Sequence, residues 1–568
     1  MTSATGSLAR AVHLWLLALA VALVMGFRAW ASWRAVVPQV YADEAAYLAM
    51  GRLLGGGARW NLGHAATYGP GYSALLAPWF ALDLDPPQVY RLAIWTNTVL
   101  AGCTVVAYEA VAARITPLRR PWTIAVAALA ASLPALVLTA NMAWSDNLTP
   151  LCFALSLLSM LRFLEQRDQG RGLVLALVVV GGTAAHDRFL PLAVVVLATM
   201  GWVAWRDHGA RSSASTSAAV LVAGVIATRL VSSEIYDRLY QPGGRVDRLG
   251  EVDRVLRLGP GLLSVLGQSW YLLVTTAGLA GLGVVALARE WQRSSSHGAP
   301  PRGRPVVGDD RLPLVATSLL LGVAFATSVV FMTDRDTGHH LVYGRYNDAI
   351  AGVLVILGLG WLLTERSARS RWVGALAVAM AMGASVATSS LARGDVLAGG
   401  YNPPTILGLM AIHRSGPREH LSITIVGLVL LALIAAPNVG RSWRRVTLVV
   451  VAVLAIVGGV RGVSYMRGRA LPHPEVGAGP EEILGPGEVV AYPVDPGLAA
   501  AAFYGYPFYA PSLWLEPTDG SPWEEGAPLI LASRHAEPIR AAGYRPVWLD
   551  PHSDAALWAA PERSGSSP

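Results

Sequence analysis

His13-Leu-Trp-Leu-Leu-Ala-Leu-Ala-Val-Ala-Leu-Val-Met-Gly-Phe-Arg-Ala-Trp-Ala-Ser-Trp33 is followed by Tyr41-Ala-Asp43-Glu44-Ala-Ala-Tyr47-Leu-Ala-Met-Gly-Arg52. The reading of this junction sets the architecture. The first segment carries a single charge, Arg28. As a helix it is long enough to cross the roughly 30 Å hydrocarbon core of a bilayer. It is too long for the apolar region of a signal peptide and lacks a small-residue cleavage site, so it reads as a retained membrane helix. The chain as a whole agrees. Of its 568 residues, 54% are hydrophobic and 14% charged, and its mean hydropathy is +0.45. Soluble domains carry about 25% charged residues. A chain this apolar cannot cover its own surface with polar groups, so a membrane must solvate much of it.

Further runs that meet or approach the required length begin near residues 90, 121, 148, 172, 189, 214, 262, 312, 347, 372, 421 and 446, which makes about 13 transmembrane helices with the first. The formal charge of +7 comes from arginine alone, because the sequence has no lysine. These arginines do not form a nucleic-acid surface. They cluster in alternate short loops: Arg114, Arg119 and Arg120; Arg162, Arg167 and Arg171; Arg206 and Arg211; Arg289 to Arg311; Arg366, Arg369 and Arg371; and Arg441, Arg444 and Arg445. Positive loops stay cytoplasmic. The expectation is a multi-pass plasma-membrane protein with a cytoplasmic N-terminus. Tyr401 to Ile412 is short and opens on Pro403-Pro404, so it reads as a re-entrant or interfacial helix on the outer face. Cys103 and Cys152 fall in apolar runs, with no disulfide or metal spacing.

The expected domains are a membrane bundle over residues 1–463, with its first outer loop at 35–88, and an extracytoplasmic α/β domain over 464–568. The latter is richer in Pro, Gly and aromatics, with short apolar stretches at 488–492, 528–532 and 545–549 that read as strands.

Asp43 and Glu44 open a helical pattern, where the plain reading is an N-terminal cap and a favourable helix-dipole contact worth about 1 kcal/mol. Downstream lie Thr67-Tyr68-Gly69-Pro70-Gly71-Tyr72, Trp144-Ser145-Asp146-Asn147, His186-Asp187-Arg188-Phe189-Leu190-Pro191 and Tyr343-Gly344-Arg345-Tyr346. All fall at outer ends of the spans under the topology above. Their order and sidedness over roughly the first 360 residues resemble the C-type membrane glycosyltransferases, which include protein O-mannosyltransferases and aminoarabinose transferases. Relatives of the latter kind carry Arg after the acidic pair and Lys before the Pro, where this chain has Ala46 and Gly69.

The resemblance implies transfer of a sugar, with inversion, from a polyprenyl-phosphate donor to a glycan, glycolipid or protein acceptor on the outer face. Asp43 would be the base, and Glu44 would orient the acceptor, position Asp43 or serve as the alternative base. The leaving phosphate needs cationic or hydrogen-bonding partners. The candidates for donor phosphate and substrate binding are Arg188, Arg345, Arg52, His64, His339 with its neighbour His340, Tyr68 and Tyr346. Each has a plainer role as well. Arg52 reads equally as a snorkelling interfacial residue, Arg188 as neutralised by Asp187, Arg345 as a brace to Asp334 or Asp348, and Asp146 as either a support behind the site residues or only a helix cap. No cofactor beyond the lipid-linked donor is required; a divalent ion on the acidic pair is conceivable but not indicated. The sugar is open among mannose, arabinofuranose, galactose and aminosugars. The rival classes are a transporter or lipid-linked-sugar flippase, for which Glu109 and Arg229 are the intramembrane charges to check, and a membrane scaffold.

Overall fold

The computed structural model describes residues 2–36, 38, 42–60, 62, 68–82, 84–239, 258–296, 311–333, 341–392, 406–412, 420–436, 443–469, 484, 489–493, 514–518, 521–549 and 555–561. The protein is a multi-pass helical bundle with a small sheet near its C-terminus. The helices are α1 (Thr2–Ala31), α2 (Ala42–Leu54), α3 (Gly71–Phe80), α4 (Pro86–Ile115), α5 (Arg120–Ala131), α6 (Pro134–Thr139), α7 (Thr149–Gln166), α8 (Gln169–Ala185), α9 (Leu190–Arg206) and α10 (Arg211–Leu239). They continue with α11 (Leu258–Thr275), α12 (Leu279–Ser296), α13 (Leu312–Met332), α14 (Asp348–Thr364), α15 (Ala368–Ala392), α16 (Leu407–Ile412), α17 (His420–Ala435) and α18 (Trp443–Arg469). Proline in the first turn starts α4, α5, α7, α9 and α13, where its missing N–H costs nothing.

Among the described residues, seven helices are long and apolar enough to cross a bilayer, or eight if one bent pair is a single span. Each of the expected runs holds a helix, but two are not straight rods. The run at 121 breaks between α5 and α6, where Leu133 precedes Pro134 and leaves the helical region. The run at 262 bends by 107° between α11 and α12. Ala277 and Gly278 at the bend have φ of 50° and 79°, and a left-handed pair of this kind ends a helix. The short α16 spans about 9 Å and packs inside the bundle, all but its last residue buried.

The central helix is α14, buried along its length from Asp348 to Leu363. Apolar character all around a helix is what such a position requires. It lies against α12 at backbone distance. A Cβ on Gly358 would stand 2.1 Å from the Leu279 carbonyl, and one on Gly283 would stand 2.2 Å from the Leu354 carbonyl. Of the two intramembrane charges to check, Glu109 accepts a 3.0 Å hydrogen bond from Thr123, and Arg229 pairs with Asp187 at 2.8 Å.

The first loop forms two helices, α2 and α3. They approach closely at Gly55, where a Cβ would meet the Ala77 carbonyl at 2.7 Å. The C-terminal sheet comprises β1 (Val489–Pro493), β2 (Trp514–Thr518), β3 (Leu529–Ser533), β4 (Arg545–Leu549) and β5 (Ala555–Ala559), in the order β2-β1-β3-β5-β4. β1 runs parallel to β2 and β3, whereas β5 is antiparallel to β3 and β4. A short helix α19 (Glu537–Ala541) covers it through Ile539, in a core with Ile530, Tyr544 and Trp558. Three of the strands are the expected ones. β2 and β5 are not.

Candidate functional site

Asp43 and Glu44 occupy the first turn of α2. Consecutive helical residues point about 100° apart, so the two acids meet different neighbours. Glu44 turns inward and is fully buried. Its Oε1 accepts from the Tyr90 hydroxyl at 2.7 Å and from the Ala143 N–H at 2.6 Å. Both donors are neutral. Asp43 faces the other way, with its side chain 20% exposed. Its carboxylate accepts from the Tyr68 hydroxyl and from Nη1 of Arg345. Burial and the Asp43 charge push the Tyr68 hydroxyl well above its ordinary pKa, so it donates as a neutral phenol.

Arg345 extends the chain of charges. Its Nε donates to Asp146, whose second oxygen accepts from Nη2 of Arg188. The side chains of Asp146, Arg345 and Arg188 are 3%, 5% and 6% exposed. The result is an alternating line, Asp43–Arg345–Asp146–Arg188, of which Asp43 is the most exposed member. Burial alone would lower the pKa of Arg345, but Asp146 and Asp43 outweigh it and hold the guanidinium well above its ordinary value. Aromatic rings flank both cations. Arg345 lies 4.0 Å above the Trp144 ring and Arg188 4.7 Å from that of Tyr346, an arrangement that favours cations out of water. His186 sits between Tyr68 and Tyr346, with ring centroids 5.6 and 5.4 Å away. Its Nδ1 accepts from the Arg188 N–H at 3.2 Å.

No family model and no curated protein matches the sequence. Solved structures do match its fold. ArnT, an aminoarabinose transferase from Cupriavidus metallidurans, aligns in its apo state with a TM-score of 0.54 at 16% identity, over 100% of both chains. The same enzyme bound to undecaprenyl phosphate gives 0.52 at 15% identity, over 95% of this chain and 97% of that one.

The chain shares the fold of ArnT.

Within this fold, the five sequence stretches that carried the resemblance supply the cluster. Asp43, Tyr68, Arg188, Arg345 and Tyr346 converge, joined by Asp146, Trp144 and His186. Three expectations about partners need correction. Arg188 is not neutralised by Asp187, which pairs with Arg229. Arg345 does not brace Asp348, which accepts from Tyr271 at 3.1 Å; Asp334 lies outside the described residues. Asp146 is not a cap for α7, whose start has no side-chain cap, but the bridge between the two arginines. Of the two readings of Asp146, a support behind the site or a helix cap, the geometry fits the first.

Arg52 stands apart. It lies on the last turn of α2, about 13 Å along the axis from Asp43, with its guanidinium 4.9 Å from the Trp60 ring. Burial pushes its pKa down to about 10. His64, His339 and His340 lie outside the described residues. Gly69, the position of a lysine in aminoarabinose-type relatives, presses against α8. A Cβ there would stand 2.2 Å from the Ala184 carbonyl, and one on Gly71 would stand 2.7 Å from the same residue's carbonyl carbon. No side chain fits at Gly69 in this packing. Among the described residues no group of three His, Cys, Asp or Glu side chains could hold a metal ion. The acidic pair does not converge either, since its two carboxylates face different partners.

Proposed function

We propose that this chain is an inverting glycosyltransferase of the plasma membrane that moves a sugar from a polyprenyl-phosphate donor to a hydroxyl of a cell-envelope glycan, glycolipid or protein. On this reading the N-terminus is cytoplasmic, and the site and the C-terminal domain are extracytoplasmic. The observation that carries it is the Asp43 carboxylate, the one partly exposed end of a buried line of alternating charges. A hydroxyl is a poor nucleophile until a base within hydrogen-bond reach takes its proton. Asp43, whose carboxylate accepts from Nη1 of Arg345, would be that base. The acceptor oxygen attacks C1 of the sugar, the C1–O bond to phosphate breaks, and its electron pair leaves with the lipid phosphate.

Arg345 and Arg188, with side chains 5% and 6% exposed, offer guanidinium N–H donors to that phosphate, and such contacts count most out of water. Tyr68 donates to the Asp43 carboxylate, and Tyr346 lies against Arg188. Glu44 is spoken for by two neutral donors and is read as positioning Asp43. The fold shared with ArnT, a protein solved with undecaprenyl phosphate, supports a lipid-phosphate carrier. A second reading, a flippase for lipid-linked sugars, draws on the breaks at Pro134 and Ala277–Gly278, since transporters build sites from broken helices.

The test uses wild type and Asp43→Asn in lipid nanodiscs with a panel of radiolabelled polyprenyl-phosphate sugars and envelope extract as acceptor. Transfer by wild type, lost in folded Asp43→Asn, is the expected result and names the sugar. Donor bound but never consumed, with translocation in vesicles, would favour the flippase instead.

A further inference from the structure

Arg345 holds three directions at once. Its Nε is fixed on the buried Asp146, its Nη1 is on Asp43, and its Nη2 is buried with no hydrogen-bond partner among the described residues. Arg188 likewise has a buried, unpartnered Nε, while its Nη2 holds Asp146 and its Nη1 reaches the Arg345 carbonyl at 3.3 Å. Buried donors left without acceptors are costly, and two on adjacent guanidiniums point to an absent anionic group. The four side chains Asp43, Asp146, Arg345 and Arg188 sum to zero charge, so the line has no surplus cation to give that anion while Asp43 is ionised.

We propose that Arg345 is handed from Asp43 to the lipid phosphate as the acceptor proton arrives on Asp43. This rests on the transferase reading above. Before transfer, the donor phosphodiester carries one negative charge, and Asp43 holds Nη1 of Arg345. In the transfer step the acceptor O–H bond breaks and its proton joins the Asp43 carboxylate. The acceptor oxygen bonds to C1 while the C1–O bond to phosphate breaks, leaving its electron pair on the phosphate, now a monoester with a second negative charge. Neutral Asp43 releases Nη1 just as the phosphate gains that charge. Nη1 and the already unpartnered Nη2 then form a two-pronged guanidinium–phosphate contact. Asp146 keeps Nε and so the pivot. The summed charge of line and phosphate is the same before and after the step, and only the position of Arg345's partner changes.

Asp43→Asn mimics the protonated base in shape and charge. The experiment measures binding of undecaprenyl phosphate, the monoester, to wild type, Asp43→Asn, Arg345→Gln and the Asp43→Asn/Arg345→Gln double variant in nanodiscs, alongside wild-type transfer. Folding is checked by thermal unfolding, and Asp43→Ser replaces Asp43→Asn if the latter does not fold. The handover expects Asp43→Asn to bind undecaprenyl phosphate about tenfold more tightly than wild type while failing to transfer. It also expects that gain to vanish when Arg345 is removed. Equal or weaker binding by folded Asp43→Asn overturns it, as does a gain that survives Arg345→Gln and so reflects only the lost negative charge. A wild type that transfers while Asp43→Asn shows no gain sinks the handover alone; a wild type that neither binds the lipid nor consumes any donor sinks the transferase reading as well.

Discussion

Glu44 offers a sharp test of which acid acts as the base. Its Oε1 is the acceptor for the Ala143 N–H and for Tyr90, which also reaches the Asn141 carbonyl at 3.2 Å. Glu44→Ala leaves the Ala143 N–H buried without that acceptor, a cost of about 1–3 kcal/mol, and opens a cavity besides. A loss of about 3 kcal/mol is therefore expected, with α2 loosened where it carries Asp43. Glu44→Gln keeps an oxygen that can accept both bonds, so its cost is smaller, about 1 kcal/mol. If that whole loss falls on the placement of Asp43, turnover drops roughly fivefold. Asp43→Asn, by contrast, removes the proposed base and is expected to lower turnover at least about 100-fold. The assay is steady-state transfer in nanodiscs with a thermal unfolding midpoint for each variant. Glu44→Gln should keep most of its midpoint and a measurable fraction of its turnover, and Glu44→Ala should lose much of both. A Glu44→Gln variant as inactive as Asp43→Asn, with an unchanged midpoint, would show that Glu44 takes part in the chemistry and would refute the positioning argument.

Asp146→Asn strands Arg188 in a buried site without its carboxylate, a change expected to cost about 3 kcal/mol or more and to lower transfer at least about 100-fold, read by turnover and thermal midpoint together. Gly358→Ala places a methyl group 2.1 Å from the Leu279 carbonyl; forcing α12 from α14 should cost about 1–3 kcal/mol, seen as a lower midpoint with donor binding retained in the folded fraction. At the opposite end of α14, burial would raise the Glu365 carboxyl, but the Ser367 N–H, the Ser370 hydroxyl and Arg289 hold it below its ordinary value. A lowered carboxyl stabilises fully above its unfolded pKa and loses that contribution as pH falls through the folded one. The midpoint difference between wild type and Glu365→Gln should therefore be full near neutrality and shrink as pH drops below about 4.5.

The positions of the helices could be read from the sequence because a bilayer demands long apolar runs, and each run holds a helix. What the runs conceal is their interior. Ala277-Gly278 sits within an uninterrupted apolar stretch, so composition gives no sign of a 107° bend. In the sheet, β1, β3 and β4 announce themselves by apolar residues between turn signals. β5, Ala-Ala-Leu-Trp-Ala, has the composition of a helix, and β2 carries Pro517; both are held by their neighbours in the sheet rather than by propensity.

The members of the candidate site were mostly visible, since each lies in a short polar stretch at the end of an apolar run. Their pairing was not. Sequence neighbours suggested Asp187 for Arg188 and Asp348 for Arg345. The partners of Arg345 are instead 199 and 302 residues away. Which way an arginine at a helix end turns depends on the rotation of that helix in the bundle, and no local pattern encodes it. The two acids of the Asp43-Glu44 pair show the same limit, because adjacency in sequence concealed that one is buried on neutral donors and the other faces out.

The zero net charge of the Asp43–Arg345–Asp146–Arg188 line bears on how a ligand arrives. A cationic cleft draws anions from a distance, and its encounter rate falls steeply with added salt. A balanced line of opposite charges has no such reach. Its net charge is zero, so its field falls off faster with distance than that of a cationic cleft. For a ligand anchored in the bilayer, arrival is then a search in two dimensions, governed by its density among the surrounding lipids and by membrane viscosity rather than by ionic strength.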